Sequence, residues 1–455
     1  MYDTIAAIAT APGEGAIGIV RISGRQALNI VDKIFKPKSG GKVSDFKTYS
    51  IHYGHVVDKK ETVDEALLTV MRSPRSFTKE DVVEISCHGS IVALRRVLGL
   101  ALENGARLAE PGEFTKRAFL NNRIDLAQAE AVLDIIRAKT DSALSLGTEQ
   151  LKGVLSSWVN NLRDKLFNAL VALEANIDFP DEEIAPAGLS KIKLRLRDVD
   201  KKFDKILDTS SRGCVLREGI HVVICGKPNV GKSSLLNALL KQERSIVTHI
   251  AGTTRDTIEE IIDIKGIPVR IVDTAGIIQP RDLVEKKAVQ RSKKHIDSAD
   301  IAIILFDGSR KLDSQDNLLI SKLKNKSAIA VINKIDLKQK IERKKIENNF
   351  KHVVLISTKK LKNINSLEEA IKDIVYQGAV LSPEYAIVSN MRHIELLKKA
   401  EGFVKSACVA LDKGFASELV CQDIKDALGF LDDMLGKRFS DKLLDKIFSE
   451  FCIGK

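Results

Sequence analysis

Short strand-like apolar runs recur through residues 1–118: TIAAIAT, AIGIVRISG, TYSIHYGHVV, EALLTVMR and DVVEISCHG. Two helix-like pieces, RQALNIVDKIF and SIVALRRVLGLALENG, lie between them, so this zone is expected to be a compact α+β domain. From Phe119 to about Cys214 the strand signal fades. LAQAEAVLDIIRAKT and SSWVNNLRDKLFNALVALEANI space their apolar residues close to a helical turn, with a break at DFPDEEIAPAG. Strands then alternate with helices across 217–380, which predicts a parallel, helix-covered sheet with any ligand at the strands' C-terminal ends. Residues 381–455 read helical again. The pattern therefore predicts four segments, 1–118, 119–216, 217–380 and 381–455. The two helical flanks are expected to build one domain into which the third segment is inserted, as happens where a module's termini lie close together.

The chemistry concentrates in the inserted segment. GKPNVGKSS at 226–234 matches G-x-x-x-x-G-K-[ST] from Gly226 to Ser233, after the apolar run IHVVIC and before the helix-like SSLLNALLK. In such a loop backbone N–H groups close around phosphate oxygens; Lys232 reaches the β/γ-phosphates and the Ser233 hydroxyl can ligate Mg²⁺. A glycine-rich turn arising by coincidence is the competing reading, and the strand–loop–helix context argues against it. DTAG at 273–276 follows PVRIV and places Asp273 to hold the metal through water. NKID at 333–336 follows AIAVI: Asp336 can accept from the two donors on guanine's base edge, while Asn333 and Lys334 brace the ring. STK at 357–359 (Ser357, Thr358, Lys359) follows HVVLI and would complete the base pocket. TTRD at 253–256 offers a threonine hydroxyl that can close on the metal when γ-phosphate is present. The ordered set predicts a GTPase domain over 217–380, of the α/β P-loop class.

A Ras-like GTPase orients its attacking water with a glutamine just after the DTAG glycine. Here Ile277 and Ile278 follow Gly276, so the polar group must come from further along or from a partner. Glu285, opening VEKKAVQRSKKHI, is the candidate; an acidic residue that complements a helix N-terminus is the competing reading. Asn229, inside the phosphate loop, can help hold a monovalent cation, or can serve turn geometry alone. Arg255 is the local arginine, with Asp256 beside it as a pairing partner.

Charge and cysteine use narrow the remainder. The 455 residues carry 72 Lys+Arg against 61 Asp+Glu, a formal +11, with a pI near 9.1. That excess leans toward a polyanionic partner such as RNA or anionic lipid, with solvated basic helix faces as the plainer account. The start MYDTIAAIATAPGEG lacks a charged n-region followed by an apolar h-region, and no apolar run approaches a membrane span, so a cytoplasmic location is expected. The six cysteines (Cys87, Cys214, Cys225, Cys408, Cys421, Cys452) form no C-x-x-C pair, which suggests neither zinc nor a disulfide framework.

With these pieces assembled, the chain resembles the bacterial and organellar tRNA-modification GTPase family MnmE (also called TrmE), over its whole length. Residues 452–455, Cys-Ile-Gly-Lys, match that family's C-[ILV]-G-K. RLAEPGEFTKRAFLNNRIDLAQAEAV at 107–132 matches its joining signature, APGEGAIGIVRISG at 11–24 its opening, and GKPNVGKSSLLNALL with IVTHIAGTTRD its phosphate and switch loops. The resemblance implies an N-terminal domain of folate-binding type that dimerises. It would bind 5-formyltetrahydrofolate or a related tetrahydrofolate through Arg21, Glu84, Arg123 and Lys455. It implies a flavoprotein partner, MnmG (GidA), and joint addition of an aminomethyl or carboxymethylaminomethyl group at C5 of the wobble uridine (U34) of certain tRNAs. GTP would be contacted by Asn229, Val230, Gly231, Lys232, Ser233 and Ser234, by Thr248, His249, Ile250, Ala251, Gly252, Thr253 and Thr254, and by Asp273, Thr274, Ala275 and Gly276. Asn229, Thr248, Ile250 and Thr253 match the family's potassium positions, Ser233 and Thr254 its magnesium ligands, and Glu285 its water-positioning glutamate.

The chain departs from the family's usual pattern at Ile278, where an arginine is common, and at Ala288, where a glycine is common. Position 123 is Arg where some members have Lys, which keeps the charge and changes the hydrogen-bond geometry. Cys452 is a candidate nucleophile beside folate, or equally a packed tail residue. His52, His55 and His88 lie in or beside strand-like runs and read as structural. A ribosome-assembly GTPase switch is the alternative function. Such a factor would be expected to carry an RNA-binding module such as KH, and no convincing KH segment is present.

Overall fold

The computed structural model describes residues 3–178, 186–242, 260–273, 299–376 and 386–455. Two units are compact in themselves. One comprises Met1–Leu133, Leu151–Ser156 and Leu431–Lys455; the other comprises Asp134–Gln150 and Ser157–Phe430.

The first unit is built on a seven-stranded sheet of β1 (Ile5–Ile8), β2 (Gly15–Ser23), β3 (Phe35–Pro37), β4 (Ser50–Asp58), β5 (Glu61–Met71), β6 (Val82–Gly89) and β7 (Arg107–Leu108). Their order is β3-β4-β5-β6-β2-β1-β7, antiparallel throughout except for β1 with β7. Alternate residues Val20, Ile22, Leu68, Val83 and Ile85 turn inward to meet Ile30, Val31, Leu94 and Val97 of the helices Ala27–Ile34 and Ile91–Glu103. Gly18 lets the second helix lie directly on β2, since a Cβ there would stand 2.7 Å from Leu94.

Two local outcomes differ from the sequence pattern. RQALNIVDKIF was expected to be one helix; the helix stops at Ile34, and Phe35, fully buried, starts strand β3 instead. A helix over Glu113–Leu120 also precedes the expected helical onset at Phe119. Its inward face carries polar residues, Glu113, Thr115 and Arg117, all buried, so apolar periodicity was masked. Arg117 is satisfied there by Asp3, Glu80 and Glu113 at 2.9–3.1 Å.

The second unit contains a six-stranded sheet of β8 (Ile220–Gly226), β9 (Glu260–Ile264), β10 (Ile267–Asp273), β11 (Ile301–Asp307), β12 (Ala328–Asn333) and β13 (His352–Leu355). The order is β13-β12-β11-β8-β10-β9. Period-two alternation splits the strands between two cores. Val222 and Ile224 face Leu235, Leu239, Leu367 and Ile371 from the helices Lys232–Gln242 and Ile364–Tyr376. Val223 and Cys225 face the other way, toward Ile320, Leu323 and Ile346. All neighbours are parallel except β9, which runs antiparallel to β10, so the expected parallel sheet is mixed at this edge. The cause is a two-residue turn: Lys265 and Gly266 have φ of 54° and 85°, as a hairpin of matching twist requires. Long helices, among them Pro186–Asp208 and Met391–Asp412, complete this unit, with Lys193 and Arg197 paired to Asp412. No described helix is long and apolar enough to cross a membrane.

Candidate nucleotide-binding site

β8 ends at Gly226, and the next helix begins at Lys232, so the chain must reverse within five residues at the C-terminal edge of the sheet. Asn229 (φ 65°) and Gly231 (φ 106°) adopt left-handed backbone on either side of Val230. Such alternation turns successive N–H groups to one side, and a helix N-terminus adds its own donors, which together suit an anion. Gly231 has a second reason to be glycine: a Cβ would stand 2.3 Å from Asn333 Nδ2. The Lys232 ammonium donates to the carbonyls of Gly226 (3.0 Å) and Lys227 (2.8 Å), held over the loop it would serve.

The neighbouring strand end braces this loop. Asn333, closing β12 and almost wholly buried, donates through Nδ2 to the Val230 carbonyl (2.8 Å) and accepts at Oδ1 from the N–H groups of Lys334 and Thr358. Lys334, with a left-handed φ of 65°, extends its ammonium to the Asn229 carbonyl (2.9 Å) and to Asp307 Oδ2 (2.6 Å). Asp336 accepts from the buried Ser357 hydroxyl at 2.6 Å, which holds its carboxyl below the usual range. An ionised carboxylate is acceptor-only, the form that suits paired N–H donors. A cavity of about 810 Å³ opens between these groups, lined by Asn229, Gly231, Lys232, Ser233, Ser234, Asn333, Lys334, Asp336, Thr358 and Lys359. Its size and its polar rim suit a nucleotide, and the oxygen donors of Ser233 and Asn229 are of the kind hard cations take.

Asp273 ends β10 in register with Ile224, on the same sheet edge. Thr248, His249, Ile250, Ala251, Gly252, Thr253, Thr254, Thr274, Ala275, Gly276 and Glu285 lie outside the described residues, as do Ile278 and Ala288. Three ion pairs beside the loop were not anticipated from the motifs. Lys227 contacts Asp313 (2.6 Å) and Asp316 (2.7 Å) at the start of the helix Ser314–Leu323, and Asp307 holds Lys334. Asp307 had one available signal: an acidic residue at the C-terminal end of an apolar strand, where ligands of such sheets collect.

The first unit gathers a second set of charged residues. Arg21 and Glu84 sit opposite one another on β2 and β6 and pair at 2.7 Å. Arg21 also lies over the Phe114 ring, 5.6 Å to its centroid, and donates to the Gly454 carbonyl at 3.1 Å. Arg123 lies over Phe77, which packs against the cluster containing Phe114. The Lys455 carbonyl accepts from the Phe114 N–H (3.1 Å). Thus Arg21, paired with Glu84, and the Cys452–Lys455 tail meet at Phe114, while Arg123 lies on Phe77, which packs against the same cluster; Cys452 itself is exposed. The guanidinium–carboxylate pair offers donors and an acceptor of the kind a pterin edge matches. His88 is hydrogen-bonded through Nδ1 to Asp64 at 2.7 Å, and His52 stacks on Phe46; both have structural partners.

Comparison with known proteins bears on both sites. The family described as "GTP-binding protein TrmE N-terminus" matches residues 4–123, and the family described as "MnmE helical domain" matches residues 126–452. The tRNA modification GTPase MnmE of Clostridioides difficile (strain 630) is 47% identical over 457 residues, covering 100% of this chain and 99% of that protein. That of Bacillus subtilis (strain 168) is 44% identical over 458 residues, covering 100% of both. Among solved structures, a variant of Aquifex aeolicus Era bound to GDP and AlF4⁻ is similar over 40% of this chain and 66% of that one, at 30% identity and a TM-score of 0.29. Matches of this breadth extend well beyond the phosphate loop into both sets of residues just described, and the chain belongs to the MnmE family of tRNA modification GTPases.

Proposed function

We propose that GTP hydrolysis by this chain drives the addition of an aminomethyl or carboxymethylaminomethyl group to C5 of the wobble uridine of certain tRNAs, in the cytoplasm. The chain acts as a homodimer together with the flavoprotein MnmG. The work divides among residues 1–118 (folate binding and dimerisation), 217–380 (GTPase) and the flanking helical segments 119–216 and 381–455. The observation that carries the nucleotide half is the Ser357–Asp336 contact beside the Asn333-braced phosphate loop. It presents an ionised carboxylate at one end of a cavity and an anion-binding loop at the other.

In this reading Asp336 accepts from the guanine edge, Lys334 covers the ring, and Lys232 neutralises the β/γ-phosphates. Ser233 and Thr254 would hold magnesium, and Asn229, Thr248, Ile250 and Thr253 would hold potassium; such cations supply positive charge to the oxygens that gain it during phosphoryl transfer. Glu285 positions the attacking water. In the first unit, Arg21, Glu84, Arg123 and Lys455 would bind a formylated tetrahydrofolate, whose bound form offers a one-carbon unit, with Cys452 nearby as a candidate nucleophile.

The test is Asp336→Asn. Replacing two acceptors by one acceptor and one donor should weaken GTP and favour xanthosine triphosphate in a nucleotide titration. Unchanged GTP affinity would remove Asp336 from the base pocket.

A further inference from the structure

We propose that Asp307 is a positioning residue for the guanine nucleotide, acting through Lys334 to hold the base-covering side chain and the phosphate loop in one geometry. This inference rests on the reading of the cavity as a guanine-nucleotide site. Asp307 closes β11, is 7% exposed, and is divided between two tasks. Its Oδ1 accepts from the Ser309 N–H (3.0 Å) and hydroxyl (2.6 Å), which fixes the carboxylate's rotation. Its Oδ2 accepts from the Lys334 ammonium at 2.6 Å. The same ammonium reaches the Asn229 carbonyl in the phosphate loop at 2.9 Å. Burial alone would raise the Asp307 carboxyl, but Lys334 and Ser309 outweigh it and keep the group ionised.

A lysine side chain has many rotamers and is strongly hydrated, so left alone it would sample solvent rather than lie along a ring. The short contact to a buried, rotationally fixed carboxylate removes that freedom before any nucleotide arrives. Because the ammonium also grips Asn229, whose backbone is left-handed, the base side and the phosphate side of the cavity are tied through one atom. Among the described residues Arg310, 3.8 Å from the same carboxylate oxygen and largely exposed, is placed to compete weakly for it.

The experiment uses the full chain and mant-GDP release measured by stopped flow. Asp307→Asn keeps an acceptor toward Ser309 but turns an amide donor toward the ammonium. Release should accelerate by about tenfold, near the low end for a lost hydrogen bond to a charged group, because the Lys334 ammonium keeps its contact with the Asn229 carbonyl. In a Lys334→Ala background the same substitution should have no further effect, because the pathway runs through that lysine. Inosine and guanine diphosphates should be affected alike, since the ring is covered whichever edge it carries. Wild-type release from Asp307→Asn, or an equal acceleration in both backgrounds, overturns the proposal. A wild-type protein that fails to bind mant-GDP sinks instead the nucleotide reading beneath it. Thermal unfolding of the nucleotide-free variants controls for the fold. If Asp307→Asn does not fold, Asp307→Ser carries the same comparison.

Discussion

Replacing Gly454 by alanine tests how firmly the Cys452–Lys455 tail is held against the first unit. The residue has a φ of 94°, and an added Cβ would stand 2.3 Å from the Ile8 carbonyl oxygen. A side chain in left-handed backbone costs about 1–2 kcal/mol. Strand β1 is held on both sides, by β2 and β7, so the tail must shift and weaken the Arg21–Gly454 hydrogen bond. A bond from a charged donor contributes roughly 1.5–3 kcal/mol, and the partial exposure of Arg21 argues for the lower end. The sum, about 3 kcal/mol, corresponds to a tail released roughly 100-fold more often. Hydrogen exchange reads this directly. The Phe114 N–H lies in the first turn of its helix, where no intrahelical acceptor exists, and the Lys455 carbonyl is its partner. Exchange in the peptide spanning Gly112 and Phe114 should accelerate by that factor, while β5 and β6 stay protected. If protection at Phe114 is unchanged in Gly454→Ala, the tail is not anchored through this glycine.

Three further outcomes are expected. GTP turnover should fall sharply when Na⁺ replaces K⁺ at equal ionic strength, and equal rates in the two salts would count against a cation site at Asn229. Glu285→Ala should lower kcat with little change in nucleotide affinity and should also block tRNA modification; normal hydrolysis would return Glu285 to a helix-start charge, and normal modification would uncouple the two activities. Burial pushes the thiols of Cys87, Cys225 and Cys408 up to about 11, so they stay protonated, and unreactive, until the pH approaches that value. Iodoacetamide at pH 8 should therefore label the exposed Cys452 well ahead of these three, and mass spectrometry showing equal labelling would refute it.

Among the described residues of 217–380 the strands and their covering helices were legible because a helix-covered sheet leaves an apolar rhythm, with Val222/Ile224 and Val223/Cys225 serving opposite faces. The motifs placed Asn229, Lys232, Asn333, Asp336 and Thr358 on separate stretches, and topology brings them to one cavity. What escaped the sequence was set by single residues or by distant partners. The reversal of β9 follows from the left-handed pair Lys265–Gly266, a turn too short to register in a periodicity. The helix Glu113–Leu120 hides its buried face because Arg117 is neutralised by Asp3 and Glu80, far away in the chain. Asp307 belongs to no motif, and only its distance to Lys334 distinguishes it from other strand-end aspartates.

The first unit's reliance on residues 431–455 also orders its assembly during synthesis. Phe448 and Phe451 fill a cluster begun by Phe119, Ile124 and Leu126, and the Gly454 carbonyl answers an arginine 433 positions earlier. A nascent chain emerging from the ribosome therefore carries this apolar seam uncovered while the whole β8–β13 sheet is being made. That sheet draws its described strands from residues 220–355 and can close meanwhile. The usual expectation that N-terminal portions finish folding first is inverted here. A stalled or prematurely ended chain would present a closed nucleotide-binding sheet joined to an open N-terminal unit, a natural substrate for chaperones and proteases.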